Sequence, residues 1–309
     1  MELHPDAPAN SGYHLPVMLQ ESVDALNIRP DGTYVDCTFG GGGHSREILS
    51  RLGPNGKLVA FDRDADAAAN LPDDKRLIFV PHSFQFLYRF LRYTQCIPVD
   101  GILADLGISS HQIDEANRGF AHRYDAELDM RMDRQATLHA GMVVNEYPEE
   151  ALVRIFRNYG EISNAPKLAA RIADARKQHE IRSTGALCDI LSTCTPAQTK
   201  FKYFSQVFQA IRMEVNGELR ALEAMLEQSA EVLQTGGRLV VISYHSLEDR
   251  MVKHFLATGN MEGKRETDLY GNIIRPFDPE QSRAIMPGDE EINRNRRARS
   301  AKMRVGIKR

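Results

Sequence analysis

Short apolar runs alternate with amphipathic stretches over the first third of the chain, and that alternation predicts strands separated by helices. Tyr34, Val35 and Cys37 make the first run, behind an Asp31-Gly32 turn; residues 57–61, 77–80 and 99–104 supply three more. Runs this short, bounded by Gly, Asp or Pro, read as strands. Between them, Leu19, Val23 and Leu26 share one face of a helix over 19–26, and Ile48 and Leu49 mark a helix starting at about His44. An aromatic-rich helix follows His82-Ser83-Phe84. Such alternation predicts a right-handed parallel sheet with ligands bound beyond the strand C-termini. Asp36, Asp62, Phe84 and Asp105 all fall at or near those ends.

From about Phe120 the pattern changes to helices alone. Residues 148–160 open at Pro148-Glu-Glu, 165–179 carry Leu168, Ile172 and Ala175 on one face behind Asn164, and 183–194 start at Ser183 or Thr184. A helical insertion over 114–213 accounts for this, with 1–113 and 214–309 forming one α/β domain. The sheet pattern resumes with a helix over 214–234 ending at Thr235-Gly-Gly, then a fifth strand over 238–242 running into Ser243-Tyr-His-Ser-Leu-Glu-Asp249. Residues 259–292 are polar and dotted with prolines, which predicts a long loop, and 302–307 make a last strand candidate. Residues 1–12 read as a loose polar arm.

Composition narrows the class. The 309 residues are 42% hydrophobic and 26% charged, enough apolar material for a globular protein with a real core. With a net charge of −3, any nucleic-acid site has to be a local basic patch. Cys37, Cys96, Cys188 and Cys194 include no C-x-x-C pair, so no zinc site, other metal site or disulfide framework is signalled. No apolar leader and no membrane-length segment is found, so a cytoplasmic protein with no membrane partner is expected.

The chemistry centres on residues 33–45, T-Y-V-D-C-T-F-G-G-G-G-H-S. A strand, four glycines and a helix start form a nucleotide-binding βα opening: glycine lets the backbone approach a ligand, and the helix N-terminus favours negative charge. Some twenty residues on, Asp62 closes the second strand where an acid holds ribose hydroxyls. The dinucleotide fingerprint G-x-G-x-x-G fails at its third glycine, which is Ser45 or Arg46, and no lysine completes a P-loop. S-adenosylmethionine, with a ribose and a carboxylate, is the third option. A dinucleotide-dependent oxidoreductase and a non-catalytic RNA-binding factor stand as rivals, separable by cofactor titration and a methyl-transfer assay.

Beyond the glycine loop, a set of motifs spans nearly the whole chain. They are H-x-P-V-M-L-x-E at 14–21, D-C-T-F-G-G-G-G-H-S at 36–45, D-L-G-I-S-S-x-Q at 105–112, R-G-F at 118–120 and L-D-M-R-M-D at 128–133. F-Q-A-I-R-x-x-V-N-x-E-L at 208–219, G-G-R-L-V-V-I-S-Y-H-S-L-E-D-R at 236–250 and R-A-R-S-A-K-M-R at 297–304 complete it. In this order the chain resembles the bacterial small-subunit ribosomal RNA cytosine-N4 methyltransferases. The resemblance implies a Rossmann-like class I S-adenosylmethionine-dependent methyltransferase fold with a helical insertion that recognises RNA. It also implies S-adenosyl-L-methionine as cofactor and 16S ribosomal RNA within the small ribosomal subunit as partner; a homodimer is left open. One departure stands before F-Q-A: the family often has H-P-A-T-R, and this chain has Phe204-Ser-Gln-Val. No RNA contact is carried to that spot.

Matched residue by residue, the resemblance puts the cofactor on Gly42, Gly43, His44, Asp62, Phe84, Asp105 and Gln112. Phe84 suits an adenine face and Asp105 a cationic group. Transfer to an exocyclic amine requires alignment of amine, methyl and sulfur, and an acceptor for the amine hydrogen. Where DNA amine methyltransferases carry [DNS]-P-P-[FY], this chain has D-L-G-I-S-S, so Asp105, Ser109 and Ser110 are the candidate acceptors. Tyr244, His245 or Phe120 would supply stacking, and His245 is a further candidate proton acceptor. Arg118, Arg123, Arg131 and Arg134, with the tail arginines Arg294, Arg296, Arg297 and Arg299, are the expected phosphate contacts.

Overall fold

The computed structural model describes residues 16–309, so the polar arm over 1–12 and the first two residues of the 14–21 motif lie outside the described residues. The α/β unit opens with α1 (Leu19–Ala25), β1 (Thr33–Asp36), α2 (Gly43–Arg51), β2 (Lys57–Phe61), β3 (Leu77–Val80), α3 (Leu87–Tyr93), β4 (Val99–Asp105) and a short α4 (Ser110–Asp114). The four strands expected from the apolar runs are all present. β1, β2 and β4 are buried on both faces, which is why their sequences carry apolar runs and not an alternation, whereas β3 at the sheet edge is half-buried. Val35, Ile102 and Val241 face one layer of helices, while Tyr34, Leu103 and Val240 face the other.

A helical unit follows: α5 (Ala140–Glu146), α6 (Glu149–Asn158), α7 (Ala165–Gln178), α8 (Thr184–Ser192) and α9 (Lys200–Asn216). Its helices close on a core of their own, with Leu152, Ile155, Phe156, Leu168, Ile172, Leu187, Phe208 and Ile211 in one cluster. Ser183 caps α8 through its hydroxyl, which accepts from the Ala186 amide. Asn164 caps nothing with its side chain. Its amide instead ties Cys194 O to the Tyr203 hydroxyl, holding α7 against the start of α9.

The rest of the chain is α10 (Glu218–Val232), β5 (Leu233–Ser243), α11 (Ser246–Thr258), β6 (Phe277–Pro279), α12 (Asp289–Arg294) and β7 (Lys302–Lys308). Two expectations are corrected. The single helix over 214–234 is two helices, because Gly217 takes φ +57, a left-handed conformation that ends α9 and starts α10. The 259–292 segment is not loop throughout, since β6 and α12 lie in it and Thr267 bridges Ile273. These short polar elements have no periodic signature. Tertiary contacts hold them: β6 pairs with β7, and Glu291 of α12 accepts from the Met18 amide at 2.6 Å.

The seven strands form one sheet in the order β3-β2-β1-β4-β5-β7-β6, parallel except for β7, which runs antiparallel to β5 and β6. This is the Rossmann-like arrangement expected. The strand order reverses between β1 and β4, and the connections after these two strands leave on opposite faces of the sheet. That switch point opens a crevice at the carboxyl ends of the strands.

Candidate functional site

The crevice is occupied by a cavity of about 710 Å³, the size of a nucleoside-type ligand site with room beside it. Four strand ends supply its walls: the glycine loop after β1, Asp62 after β2, Phe84 after β3 and the Asp105–Asp114 segment after β4. The helical unit and β5 close the far side with Met132, Arg212, Tyr244 and His245.

The glycine loop is braced from below. Asp36, fully buried, accepts from the Ser45 hydroxyl at 2.6 Å and the Thr38 amide at 3.0 Å, which ties the first turn of α2 to β1. Gly40 and Gly42 take φ +51 and +75, and a Cβ on Gly43 would overlap Pro16 Cγ. Three of the four glycines are therefore used in two ways, Gly40 and Gly42 for backbone turns and Gly43 for close packing. Gly40, Gly41, Gly43 and His44 line the cavity. Gly42, expected to touch the ligand, is not among the lining residues; its place is under Phe39, which a Cβ would meet at 2.9 Å.

Asp62 holds the loop as well as facing the cavity. Its Oδ2 accepts from the Gly40 amide at 2.7 Å and its Oδ1 from the Asp64 amide at 2.8 Å. Burial pushes its carboxyl up to about 6, against the pull of those two amides. Each carboxylate oxygen keeps a second lone pair for a ligand hydroxyl. Asp105 is held differently. The Tyr244 hydroxyl donates to its Oδ1 at 2.7 Å, and His44 Nδ1 stands 4.0 Å from its Oδ2. Burial raises this carboxyl to about 6 too, with His44 and Tyr244 acting the other way. The same environment raises the Tyr244 phenol, first through burial and then through Asp105, so Tyr244 stays a donor. Sequence reasoning offered Tyr244 only as a stacking group. Its bond to Asp105 spans 139 positions and has no local signal.

Ser109 and Gln112 form a capping box at α4: the Ser109 hydroxyl accepts from the Gln112 amide, and Gln112 Oε1 accepts from the Ser109 amide at 3.1 Å. Gln112 Nε2 goes on to donate to Asp64 Oδ2 at 2.6 Å. Both residues line the cavity, as does Ser110, but Ser109 and Gln112 do so while fixing the loop.

His245 does not suit the proton-acceptor role. Burial and then the neighbouring Arg212 push its imidazole down to about 3, and Arg212 Nη2 donates toward its Nε2 at 3.3 Å. Arg212 is itself clamped by Glu218, with both bonds at 2.8 Å. Glu248 completes this buried group, accepting from the Tyr244 and His245 amides, and burial with the nearby Glu218 raises its carboxyl to about 7. The sequence pattern contained Arg212, Glu218 and Glu248 without marking them as a unit.

The arginines divide. Arg118, expected on an RNA surface, is 2% exposed; it bonds Asp64 at 2.8 Å, Asp66 at 2.9 Å and the carbonyls of Arg131 and Met132. It joins the helical unit to the loop after β2 and has no freedom to meet a phosphate. Arg131 is half-buried against Asp129 and Ala136 O. Arg123, Arg134, Arg294, Arg296 and Arg299 are exposed, and Arg297 sits on the cavity rim bonded to Asp114.

The model of the MraW methylase family matches residues 11–309. Among curated proteins, the Ribosomal RNA small subunit methyltransferase H of Flavobacterium johnsoniae is 54% identical over 296 residues, covering 96% of this chain and 98% of that protein. The protein of the same name from Bacteroides thetaiotaomicron is 53% identical, covering 96% of this chain and 97% of that protein. A solved structure, a putative methyltransferase from Streptococcus mutans in complex with SAH, is 13% identical with a TM-score of 0.43, covering 96% of this chain and all of that one.

Proposed function

The chain belongs to the MraW methylase family, and on that premise we propose that the cavity at the β1–β4 switch point brings together a methyl donor and one base of ribosomal RNA. The protein is an S-adenosylmethionine-dependent methyltransferase that modifies the exocyclic N4 amine of a cytidine in 16S ribosomal RNA. The observation that carries the site assignment is the convergence of the glycine loop, Asp62 and Asp105 on one cavity.

The residues present fit the donor. When bound, S-adenosylmethionine supplies an electrophilic methyl group on a cationic sulfur. Gly43 and His44, at the N-terminus of α2, favour its carboxylate. Asp62 takes the ribose hydroxyls on its remaining lone pairs, and the Phe84 ring takes the adenine face. Asp105 attracts the ammonium of the methionine end or accepts from the target amine. Above about pH 6 it is ionised and able to do either. With the basicity of His245 lowered by burial and by Arg212, Asp105 is the group best placed to accept the hydrogen of an amine that gains a methyl and sheds a proton.

The helical insertion, residues 114–213, carries RNA recognition in this reading, with Arg123 and Arg134 as phosphate contacts in place of the buried Arg118. An assembled small subunit in the cytoplasm is the substrate, its cytidine reached in single-stranded or splayed RNA because A-form base edges are hard to read. The test is incubation of the protein with radiolabelled S-adenosylmethionine and small subunits from a strain lacking the enzyme. Label on the N4 of a single cytidine is expected; label on another atom, or none in the RNA, overturns the proposal.

A further inference from the structure

The apolar stripe of α9 does not end where its core ends. Phe204, Phe208 and Ile211 are buried in the helical unit, and Phe201, one turn earlier on the same stripe, is 71% exposed. Its ring lies nearly parallel to that of His122, at 6.1 Å and 24°. His122 is held in place from behind by Phe204 and Phe208, each edge-on at 5.8 Å, and by the Ser205 hydroxyl at 3.3 Å. A pre-set pair of aromatic faces is thus presented to solvent. Nothing in the fold requires Phe201 to be aromatic.

This pair is continuous with the rim of the cavity. Next to His122, the Arg123 guanidinium lies 4.8 Å over the half-exposed Tyr124 ring and donates to Asp114 at 2.7 Å. Asp114 lines the cavity. On the other side, the Lys200 ammonium stands 5.4 Å from the Phe204 ring. Flat aromatic faces interleaved with cations match a nucleic-acid strand whose bases are unstacked: π-faces meet bases and cations meet phosphates. A protein partner would call for a wider contiguous apolar patch than one exposed phenylalanine and one tyrosine provide.

We infer that Phe201 and His122, with Arg123 and Lys200 beside them, form a base-stacking platform that holds single-stranded ribosomal RNA flanking the target base as it leaves the cavity. The inference rests on the RNA-methylating reading above and adds the route of the strand.

The test uses the full chain and three variants, Phe201→Ala, Phe201→Trp and Lys200→Ala. Two substrates are used, small subunits lacking the methyl group and a fluorescein-labelled single-stranded oligouridine. Since removal of one stacking ring costs about 1–3 kcal/mol per base, Phe201→Ala should weaken oligouridine binding and raise KM for subunits by roughly 5-fold to 150-fold. Its kcat, cofactor affinity and salt slope should stay at the parental values, and Phe201→Trp should restore affinity. Lys200→Ala should instead flatten the salt slope. Parental KM and oligouridine affinity in Phe201→Ala overturn the platform and leave the face to a protein contact. So does a loss that Phe201→Trp fails to rescue. If the parent itself labels no subunit RNA, the underlying function is what fails.

Discussion

Replacement of Asp105 by asparagine should move stability and activity in opposite directions. The carboxyl lies between β4, His44 and Tyr244 with its side chain 22% exposed, and desolvation raises it from 3.8 to about 6. Roughly two pH units at about 1.4 kcal/mol each put the cost of holding the ionised form near 3 kcal/mol as a ceiling. Asparagine is neutral, keeps the shape and still accepts from the Tyr244 hydroxyl. The sign follows from linkage. A carboxyl with a raised folded value contributes its full stability below pH 3.8 and loses it as pH climbs through about 6. The variant escapes that loss. It should therefore gain on the parent between pH 4 and pH 6, and above pH 6 stay about 1–3 kcal/mol more stable, a shift of several degrees in the unfolding midpoint.

Activity should fall in the same variant. A neutral amide neither attracts a cationic donor nor takes a proton, and at least about a tenfold drop in methyl transfer is expected, about 1.4 kcal/mol in the barrier. Thermal unfolding at pH 4.5 and pH 8, with single-turnover transfer at saturating donor, measures both halves. A variant less stable than the parent at pH 8 would show that the carboxylate is favoured where it sits. Parental transfer rates would remove Asp105 from the chemistry.

Three further outcomes are expected. Asp62→Ala should weaken S-adenosylmethionine binding by about 1.5–3 kcal/mol in calorimetry, since hydrogen bonds to a charged group are lost; unchanged affinity would detach β2 from the ribose. Arg118→Ala should destabilise the protein by about 3–5 kcal/mol by leaving Asp64 buried without its cation, and should leave the salt slope of RNA binding alone; a flattened slope would return Arg118 to the RNA surface. Binding of S-adenosylmethionine at pH 6 should release protons, seen by calorimetry in two buffers of different ionisation enthalpy; proton uptake would contradict the charge assignment.

Much of this was legible in the chain because burial on both faces writes a short apolar run, as in β1, β2 and β4, and half-buried β3 carries one as well. β6 and α12 carry no such mark: Phe277-Asp-Pro279 is a strand only because β7 lies beside it. Gly217 was visible, but a glycine within a helical pattern does not announce that it will take φ +57. Site residues behaved likewise. Asp62 and Asp105 were legible because strand ends deliver them to the crevice. Arg118 looked like its exposed neighbours, since its partners Asp64 and Asp66 lie more than fifty positions away and only the fold brings them together. The surroundings of His245 were hidden for the same reason, because Arg212 reaches it from α9 across 33 positions.

The cavity gathers three carboxyls that burial lifts above their usual range, Asp62 and Asp105 to about 6 and Glu248 to about 7. Half-buried Arg63 and buried Arg212 stand beside them, and each is already engaged: Arg63 with Asn216 O and Met132 Sδ, Arg212 with Glu218. The three carboxyls are held by amides and the Tyr244 hydroxyl, and neither Arg63 nor Arg212 hydrogen-bonds to them. A ligand that brings a sulfonium and an ammonium against one carboxylate carries a net positive charge to these carboxyls. It stabilises the ionised acids, lowers their proton affinity and recovers part of what their burial costs. After transfer the sulfur is neutral and, in the proposed mechanism, the amine proton has passed to Asp105, so that gain shrinks. The same burial that makes Asp105 a liability for stability therefore favours the charged donor over its demethylated product, and it biases the site toward exchange of one for the other.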